Sequence, residues 1–261
     1  MLFDTQLIAI DYLWFGLLFI AALCHTSVGL AGGTSYAAIL SASGLPVITV
    51  TSASLSLNTL ASTIGAFNFT RFKHFKLNLL LPFLISSAPS AYLGAKLVLP
   101  QLWFYLLLLL TLSFCILSLV SNLAVENKTR LAKRYTLPAS VALGAGIGFI
   151  SGCIGIGGGI FLVPLIASLG LAPVKQAAAC GVVFIWCNSL VGLYSRFESS
   201  LIQFNNLFLV LVIVGTGSAI GSYLGASRFP LAWLKGILVA VLLFAFAVLS
   251  YRLYIELQQV L

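Results

Sequence analysis

The chain has 261 residues, of which 61% are hydrophobic and 7% charged, with a formal net charge of +8. A soluble domain carries about 25% charged residues. Here nearly uncharged runs such as 77–99, 101–121 and 231–250 instead fit helices that cross a hydrocarbon core of roughly 30 Å. The basic residues fall in short loops between such runs, which excludes a nucleic-acid surface, and no motif for a cofactor or a metal is present.

The first predicted element is a span over 7–27. It is preceded by Asp4 and Asp11, with no Lys or Arg before Arg71, so it reads as an uncleaved transmembrane helix rather than a signal peptide. A glycine cluster, GLAGG at 29–33, leads into a short apolar piece over 34–44 that stops at Gly44. Spans follow over 46–69, 77–99 and 101–121. Beyond a basic stretch, ENKTRLAKR at 126–134, come a span over 135–154 and a second cluster, GIGGG at 155–159. A second short piece over 160–170 ends at Gly170, and spans over 173–195, 203–226 and 231–255 complete the chain. The expected fold class is an all-α integral membrane protein with about eight transmembrane helices and two half-length ones. A piece of 11 residues reaches only about 17 Å as a helix and cannot cross the bilayer alone.

The two short pieces share a grammar. VGLAGGTSYAAILSASGL (28–45) lies over IGIGGGIFLVPLIASLGL (154–171) without a gap, and SAYLGAK (90–96) lies over GSYLGAS (221–227). The chain therefore reads as a four-span repeat over 1–122, a basic cytoplasmic linker over 123–134 and a second four-span repeat over 135–261. Duplication of this kind builds many transporters. With four spans per repeat, an even number, both halves are expected to run in the same direction about an axis along the membrane normal. Lys and Arg in short loops mark the cytoplasmic side. RFKHFK (71–76) and the linker are placed there, with Arg196 and Arg252 on the same side, so both termini are expected to be cytoplasmic. Lys96, Lys175, Arg228 and Lys235 fall on the far side.

A dense glycine cluster between a full span and a half-length piece breaks a helix, because glycine reaches positive φ cheaply and weakens a helix interior. Such backbone is tolerated at membrane depth only inside protein or along a wet cavity. A break also presents free N–H groups and the positive end of a helix dipole, which favour an anion. Gly29, Gly32, Gly33, Gly155, Gly157, Gly158 and Gly159 are thus candidates for a substrate path. The alternative is that they only shape the helices. Gly144, Gly148 and Gly152, and Gly217, Gly221 and Gly225, recur at spacing four and read as close helix packing.

The second cluster carries a family signature. GIGGG, then Val163-Pro164, Leu169-Gly170 and a Pro-Val-Lys-Gln-Ala turn at 173–177, resembles the sulfite exporter TauE/SafE family, also called the TSUP transporters. The resemblance extends over nearly the whole chain through the degraded copy in the first half. It implies a duplicated bundle of about eight spans in the cell membrane that moves sulfur-containing anions or organic acids such as sulfite, sulfonates or sulfoacetate. Two departures stand out. Cys180-Gly181 stands where such proteins tend to have Thr-Ser, and Ala37-Ala38 replaces Val-Pro in the first half. Polar contacts are then expected to shift toward Ser52, Ser54 and Ser56.

No carboxylate sits in the middle of a span, so a proton relay of acids is not expected. His25 is a candidate for proton linkage or an interfacial histidine bonded to a carbonyl. Asn58 and Asn188 donate without bringing charge into the membrane, either to an oxyanion or as glue between helices. Lys175 and Gln176 stand at the start of the span after the second half-length piece, where Lys175 attracts an anion or snorkels. The five cysteines have neither CxxC spacing nor a histidine partner and read as packing residues. A potential that is negative inside favours anion exit by about 2.3 kcal/mol per charge per 100 mV. The expected function is a secondary transporter, with export favoured, that moves a small anion by alternating access around the two breaks. A membrane subunit without transport activity and an intramembrane enzyme are the rivals. The partners are the lipid bilayer and the solute, with monomer and homodimer both open.

Overall fold

The computed structural model describes residues 12–123, 137–199, 208–227 and 232–260. They form α1 (Tyr12–Ser27), α2 (Gly33–Ala42), α3 (Val47–Arg71), α4 (Leu77–Lys96), α5 (Gln101–Leu123), α6 (Leu137–Ile154), α7 (Gly159–Ser168), α8 (Val174–Glu198), α9 (Phe208–Ala226) and α10 (Ala232–Val260). Among the described residues seven helices are long and apolar enough to cross a membrane, and there is no strand. α1 is shorter at 16 residues, and α2 and α7 have 10 each. The basic stretch 126–134 and the start of the first predicted span, 7–11, lie outside the described residues.

The glycine stripes set the packing. A Cβ on Gly144, Gly148 or Gly152 of α6 would meet the carbonyl oxygens of Phe83, Ser87 and Ala91 of α4 at 2.3, 2.2 and 2.3 Å. On α9, Gly217, Gly221 and Gly225 stand in the same way against the carbonyls of Phe19, Leu23 and Ser27 of α1, at 2.7, 2.0 and 1.9 Å. Only residues without a side chain let two backbones approach this closely. In both pairs the numbers rise together, so α4 runs parallel to α6 and α1 parallel to α9.

α3 and α8 cross the middle of the bundle in opposite directions. A Cβ on Gly65 would stand 3.0 Å from Val182, and one on Gly192 would stand 3.3 Å from Leu55. α8 runs parallel to α4, through Ser87 with Asn188 and Ser195 with the Tyr92 carbonyl. α9 runs parallel to α3, through Gly215 beside Leu60 and Asn68 with Ser222. Hence α1, α3 and α9 point one way, and α4, α6 and α8 the other. Three helices of the first half are thus antiparallel to their counterparts in the second, α1 to α6, α3 to α8 and α4 to α9.

This corrects the expectation of two same-direction repeats. The count of four crossings per half omitted the broken segment. α1 ends against Gly225 near the Arg71 end of α3, and Gly29 lies against Ala178 at that level. Gly33 then lies beside Asn58, in the middle of α3, and Ala42 ends beside Arg252 near the start of α3. Glycine segment and half-helix together therefore recross the bundle, although neither could alone. The half acquires an odd number of passes, and the second half starts in the opposite sense. The same geometry separates the arginines. Lys175 bonds the Ser227 carbonyl and His74 the Ala226 carbonyl, so both lie on the Arg71 face. Lys96, Arg196 and Arg252 lie on the opposite face, contrary to the grouping of Arg196 and Arg252 with Arg71 and of Lys175 with Lys96.

Candidate functional site

The two glycine segments lie side by side against the α3–α8 pair. Ser54 of α3 donates its hydroxyl toward the carbonyls of both Gly33, at 3.1 Å, and Gly155, at 2.9 Å. The start of α2 thus meets the start of the second break. On the other side, Gly181 of α8 has the Gly29 carbonyl at 3.2 Å from where a Cβ would stand, and Gly159 has the Gly181 carbonyl at the same distance. The start of α7 thus meets the start of the first break. The breaks interleave in opposite senses across the bundle.

Both half-helices start from a left-handed glycine, Gly32 with φ 109° and Gly158 with φ 80°. A side chain is strained at such angles, and neither position offers a side-chain cap. In α2 the first ladder bond runs from Tyr36 N–H to the Gly32 carbonyl at 2.9 Å, which leaves the N–H groups of residues 33–35 outside the ladder. The Tyr36 ring folds over Gly32 and its hydroxyl bonds the Ala31 carbonyl at 2.7 Å. Asn58 is fully buried against Gly33, with its Nδ2 2.1 Å from where a Cβ of Gly33 would lie. Neither amide atom of Asn58 has a hydrogen-bond partner, and neither does the buried hydroxyl of Ser35. A buried amide left unpaired costs about 1–3 kcal/mol per group, so this arrangement has polar capacity that packing alone does not use.

The second break is built differently. Ile185 stands against Gly159 at 2.4 Å from the Cβ position, where Asn58 stands against Gly33. Gly181 replaces Ser54 in that register, and Val163 fills the space, 2.1 Å from the Cβ position. Ala178 replaces Thr51. Asn188, one turn on, accepts from Ser87 at 3.0 Å and donates to the Gly157 carbonyl at 3.5 Å. Its amide ties α4, α8 and the break together. Gly155 packs on the Thr51 backbone, and Gly157 on Ile185 and the Ser189 hydroxyl.

The structure therefore brings together Gly29, Gly32, Gly33, Ser54, Asn58, Gly155, Gly157, Gly158, Gly159 and Asn188. Lys175 is half-buried one turn from the Gly29–Ala178 contact and bonds the last turn of α9 through the Ser227 carbonyl, a helix-end role for a cation. Gln176 is half-buried in the first turn of α8. His25 is fully buried; its Nδ1 lies 2.9 Å from the Ala21 carbonyl, and its Nε2 has no partner. Ser27 donates its hydroxyl to the Cys24 carbonyl of its own helix at 2.7 Å. Ser35 and Tyr36, which look in the sequence like ordinary residues of an apolar run, are buried in the first turn of α2 beside this group. Arg196, which looks in the sequence like a loop charge, is buried in the last turn of α8.

The TauE/SafE sulfite exporter profile matches residues 14–249. A probable membrane transporter protein of Sinorhizobium fredii (strain NBRC 101917 / NGR234), y4hK, is 30% identical over 242 residues, 92% of this chain and 96% of that protein. A second probable membrane transporter protein, YunE of Bacillus subtilis (strain 168), is 33% identical over 93 residues, 36% of this chain and 33% of its own. No solved structure matches. With a bundle of membrane-length helices, two glycine-broken half-helices at its centre and a match that covers most of its length, the chain belongs to the sulfite exporter TauE/SafE family.

Proposed function

We propose that the protein is a secondary transporter that moves a small sulfur oxyanion or organosulfonate by alternating access, and that the anion is held at the start of α2. The observation that carries this reading is Asn58, fully buried against an uncapped helix N-terminus with both amide atoms unpartnered. The free N–H groups of residues 33–35 and the partial positive charge of the helix end, about half an elementary charge, suit oxyanion oxygens. Asn58 Nδ2 donates to another oxygen. Its Oδ1 accepts from a hydroxyl, as in hydrogen sulfite, or from an ammonium, as in an aminosulfonate. The start of α7 is likewise uncapped, but Ile185 and Val163 stand there where Asn58 and Ser54 stand in the first half, so no side chain takes the place of Asn58 at the second break.

The architecture behind this reading is two inverted repeats. Each has four longer helices, α1 being the shortest of them at 16 residues, and one broken crossing made of a glycine segment and a half-helix. The matching of α4 on α6 with α9 on α1, and of α8 on α4 with α3 on α9, supports it. Inverted repeats around a central site are a common ground plan for alternating access. Arg71, Lys73, Lys76 and Lys175 share one face, and the basic stretch 126–134 connects helix ends on it. The positive-inside rule makes that face cytoplasmic. The N-terminal end of α1 and the C-terminal end of α10 then open on the other side, as does Glu198. An exporter of a monovalent anion on this plan draws on the membrane potential.

The test is initial-rate sulfite flux in liposomes that carry the purified chain, imposed with a potential of either sign. The expected result is saturable flux that accelerates when the potential drives anions outward. Asn58→Leu lowers it by at least about tenfold, and Asn58→Asp, of equal size but anionic, abolishes it. Flux in Asn58→Asp equal to the wild type would remove Asn58 from the site.

A further inference from the structure

Arg196 is 1% exposed and heads the fully buried side chains in volume. Its Nε has no hydrogen-bond partner. No carboxylate pairs with it among the described residues. Glu198, two residues on and so about 200° around α8, is taken by Lys96 at 3.7 Å and by the Tyr92 hydroxyl. The α3–α8 register that sets Leu55 against Gly192 and Gly65 against Val182 places Arg196 opposite Thr51. A Cβ on Gly155 would stand 2.8 Å from the Thr51 carbonyl oxygen. Cys153, at the end of α6, is close enough for electrostatic interaction with the guanidinium. Arg196 is thus at the foot of the second break, on the Lys96 face. The level of Asn58 is about two turns, or some 10 Å, deeper.

A buried cation needs a reason. The last turn of α8 offers the negative end of the helix dipole, which contributes about 0.3–1 kcal/mol, up to about 2 in a partly buried setting. Taking an unpaired charge out of water costs several kcal/mol, and buried charges in proteins are as a rule paired. The dipole does not close that gap. A guanidinium presents five donors in a flat fork that matches the oxygens of a sulfite, sulfonate or carboxylate in a bidentate way. In the first half the equivalent position holds Phe69, so the feature is particular to this end of the path.

We propose that Arg196 is a second anion-binding station, on the face opposite the basic loops, which takes an oxyanion through its guanidinium before or after that anion occupies the Asn58 site. The inference rests on the anion-transport reading and extends it to a two-station path. The bound oxyanion takes the place of the carboxylate partner that the fold withholds and neutralises the guanidinium.

The test separates the stations. Thermal unfolding of the detergent-purified full chain is followed against sulfite concentration in the wild type, Asn58→Leu, Arg196→Gln and the double variant. Asn58→Leu is expected to keep a saturable rise of Tm with sulfite, and the double variant to lose it. Arg196→Lys, made in the Asn58→Leu background, keeps the charge without the fork and is expected to bind sulfite about tenfold more weakly than Asn58→Leu; it stands in if Arg196→Gln does not fold. Two results overturn the proposal: the absence of any sulfite response in Asn58→Leu, and a response in either double variant at the Asn58→Leu midpoint. Flux distinguishes the failures. If Arg196→Gln transports sulfite with wild-type rate and KM, the second station is wrong and the Asn58 site stands. If the wild type binds sulfite at Arg196 but moves none, the transport reading fails and the binding site stands.

Discussion

Gly33→Ala separates what the first break does from what holds it together. Gly33 is the first residue of a helix and has ordinary helical backbone, so alanine is not strained there and gains about 0.5–1 kcal/mol of helix propensity. The new Cβ would stand 2.1 Å from Asn58 Nδ2, 2.8 Å from its Cγ and 2.9 Å from its Oδ1. Ordinary contact begins at 3.4 Å, so the amide must retreat by about 1.3 Å. Because the obstacle is the end of a side chain and not a backbone, the retreat is a rotation of χ1 and χ2, which costs about 0.5–1.5 kcal/mol off-rotamer. The two effects on stability nearly cancel. The effect on transport does not, because Asn58 no longer reaches an anion at the α2 start, and loss of a hydrogen bond to a charged group is worth about 1.5–3 kcal/mol. The expected outcome is a Tm within about 2 °C of the wild type, with sulfite kcat/KM lower by about 10- to 100-fold in liposomes. Gly146→Ala, where nothing lies within 4 Å of the added carbon, is the control and should leave both unchanged. Unaltered flux and Tm in Gly33→Ala would mean that the anion does not touch Asn58.

Gly148→Ala puts its Cβ 2.2 Å from the Ser87 carbonyl, which is backbone. The α4–α6 pair must part, and thermal unfolding should show a loss of about 1–3 kcal/mol. Ser54→Ala removes the hydroxyl that reaches both breaks, so sulfite flux should fall about 3- to 10-fold, with one hydrogen bond of about 1 kcal/mol lost in Tm measurements. Lys73→Cys and Lys96→Cys should be labelled from opposite sides of the membrane by an impermeant maleimide, Lys73→Cys from the cytoplasm. The native cysteines give little background, four of them being buried and Cys187 half-buried. Labelling of both from one side would contradict the inverted arrangement.

The helices themselves were legible in the sequence because their causes are local. Apolar length, Pro46 and Pro173 before α3 and α8, and the glycine clusters fix where each element starts and stops. The spacing-four stripes gave the correct packing role, since Gly144 to Gly152 and Gly217 to Gly225 leave no other use for a bare backbone. The direction of the second half was not legible. It depends on whether the segment from Gly29 to Ala42 returns to the face where α1 began, and that is decided by contacts with Ala178, Asn58 and Arg252, which are remote in sequence. The same limit hid Arg196. The helix runs three residues beyond the apolar run and leaves Arg196 buried, and no local pattern distinguishes that from a loop arginine.

Within the site, the two-fold relation holds for backbone and fails for side chains. Thr51, Ser54 and Asn58 around the start of α2 correspond to Ala178, Gly181 and Ile185 around the start of α7. The departure of Cys180-Gly181 from the family pattern is one part of this asymmetry, and Val163 packing onto Gly181 is its structural consequence. An inverted pair with identical side chains would give the two ends of the transport cycle equal energies by symmetry. On the proposed reading the polar break is satisfied by an anion and the apolar break by its own packing, so a bound anion would bias the first half alone. A solute that shifts such an equilibrium does so only by its differential affinity for the two states. That differential is supplied by groups unpaired in the structure described: Asn58, Ser35 and the free N–H groups of residues 33–35. Ser54, with one proton between the carbonyls of Gly33 and Gly155, is the side chain that touches both breaks and, on the proposed reading, the one that would pass a change at the polar break to the apolar one.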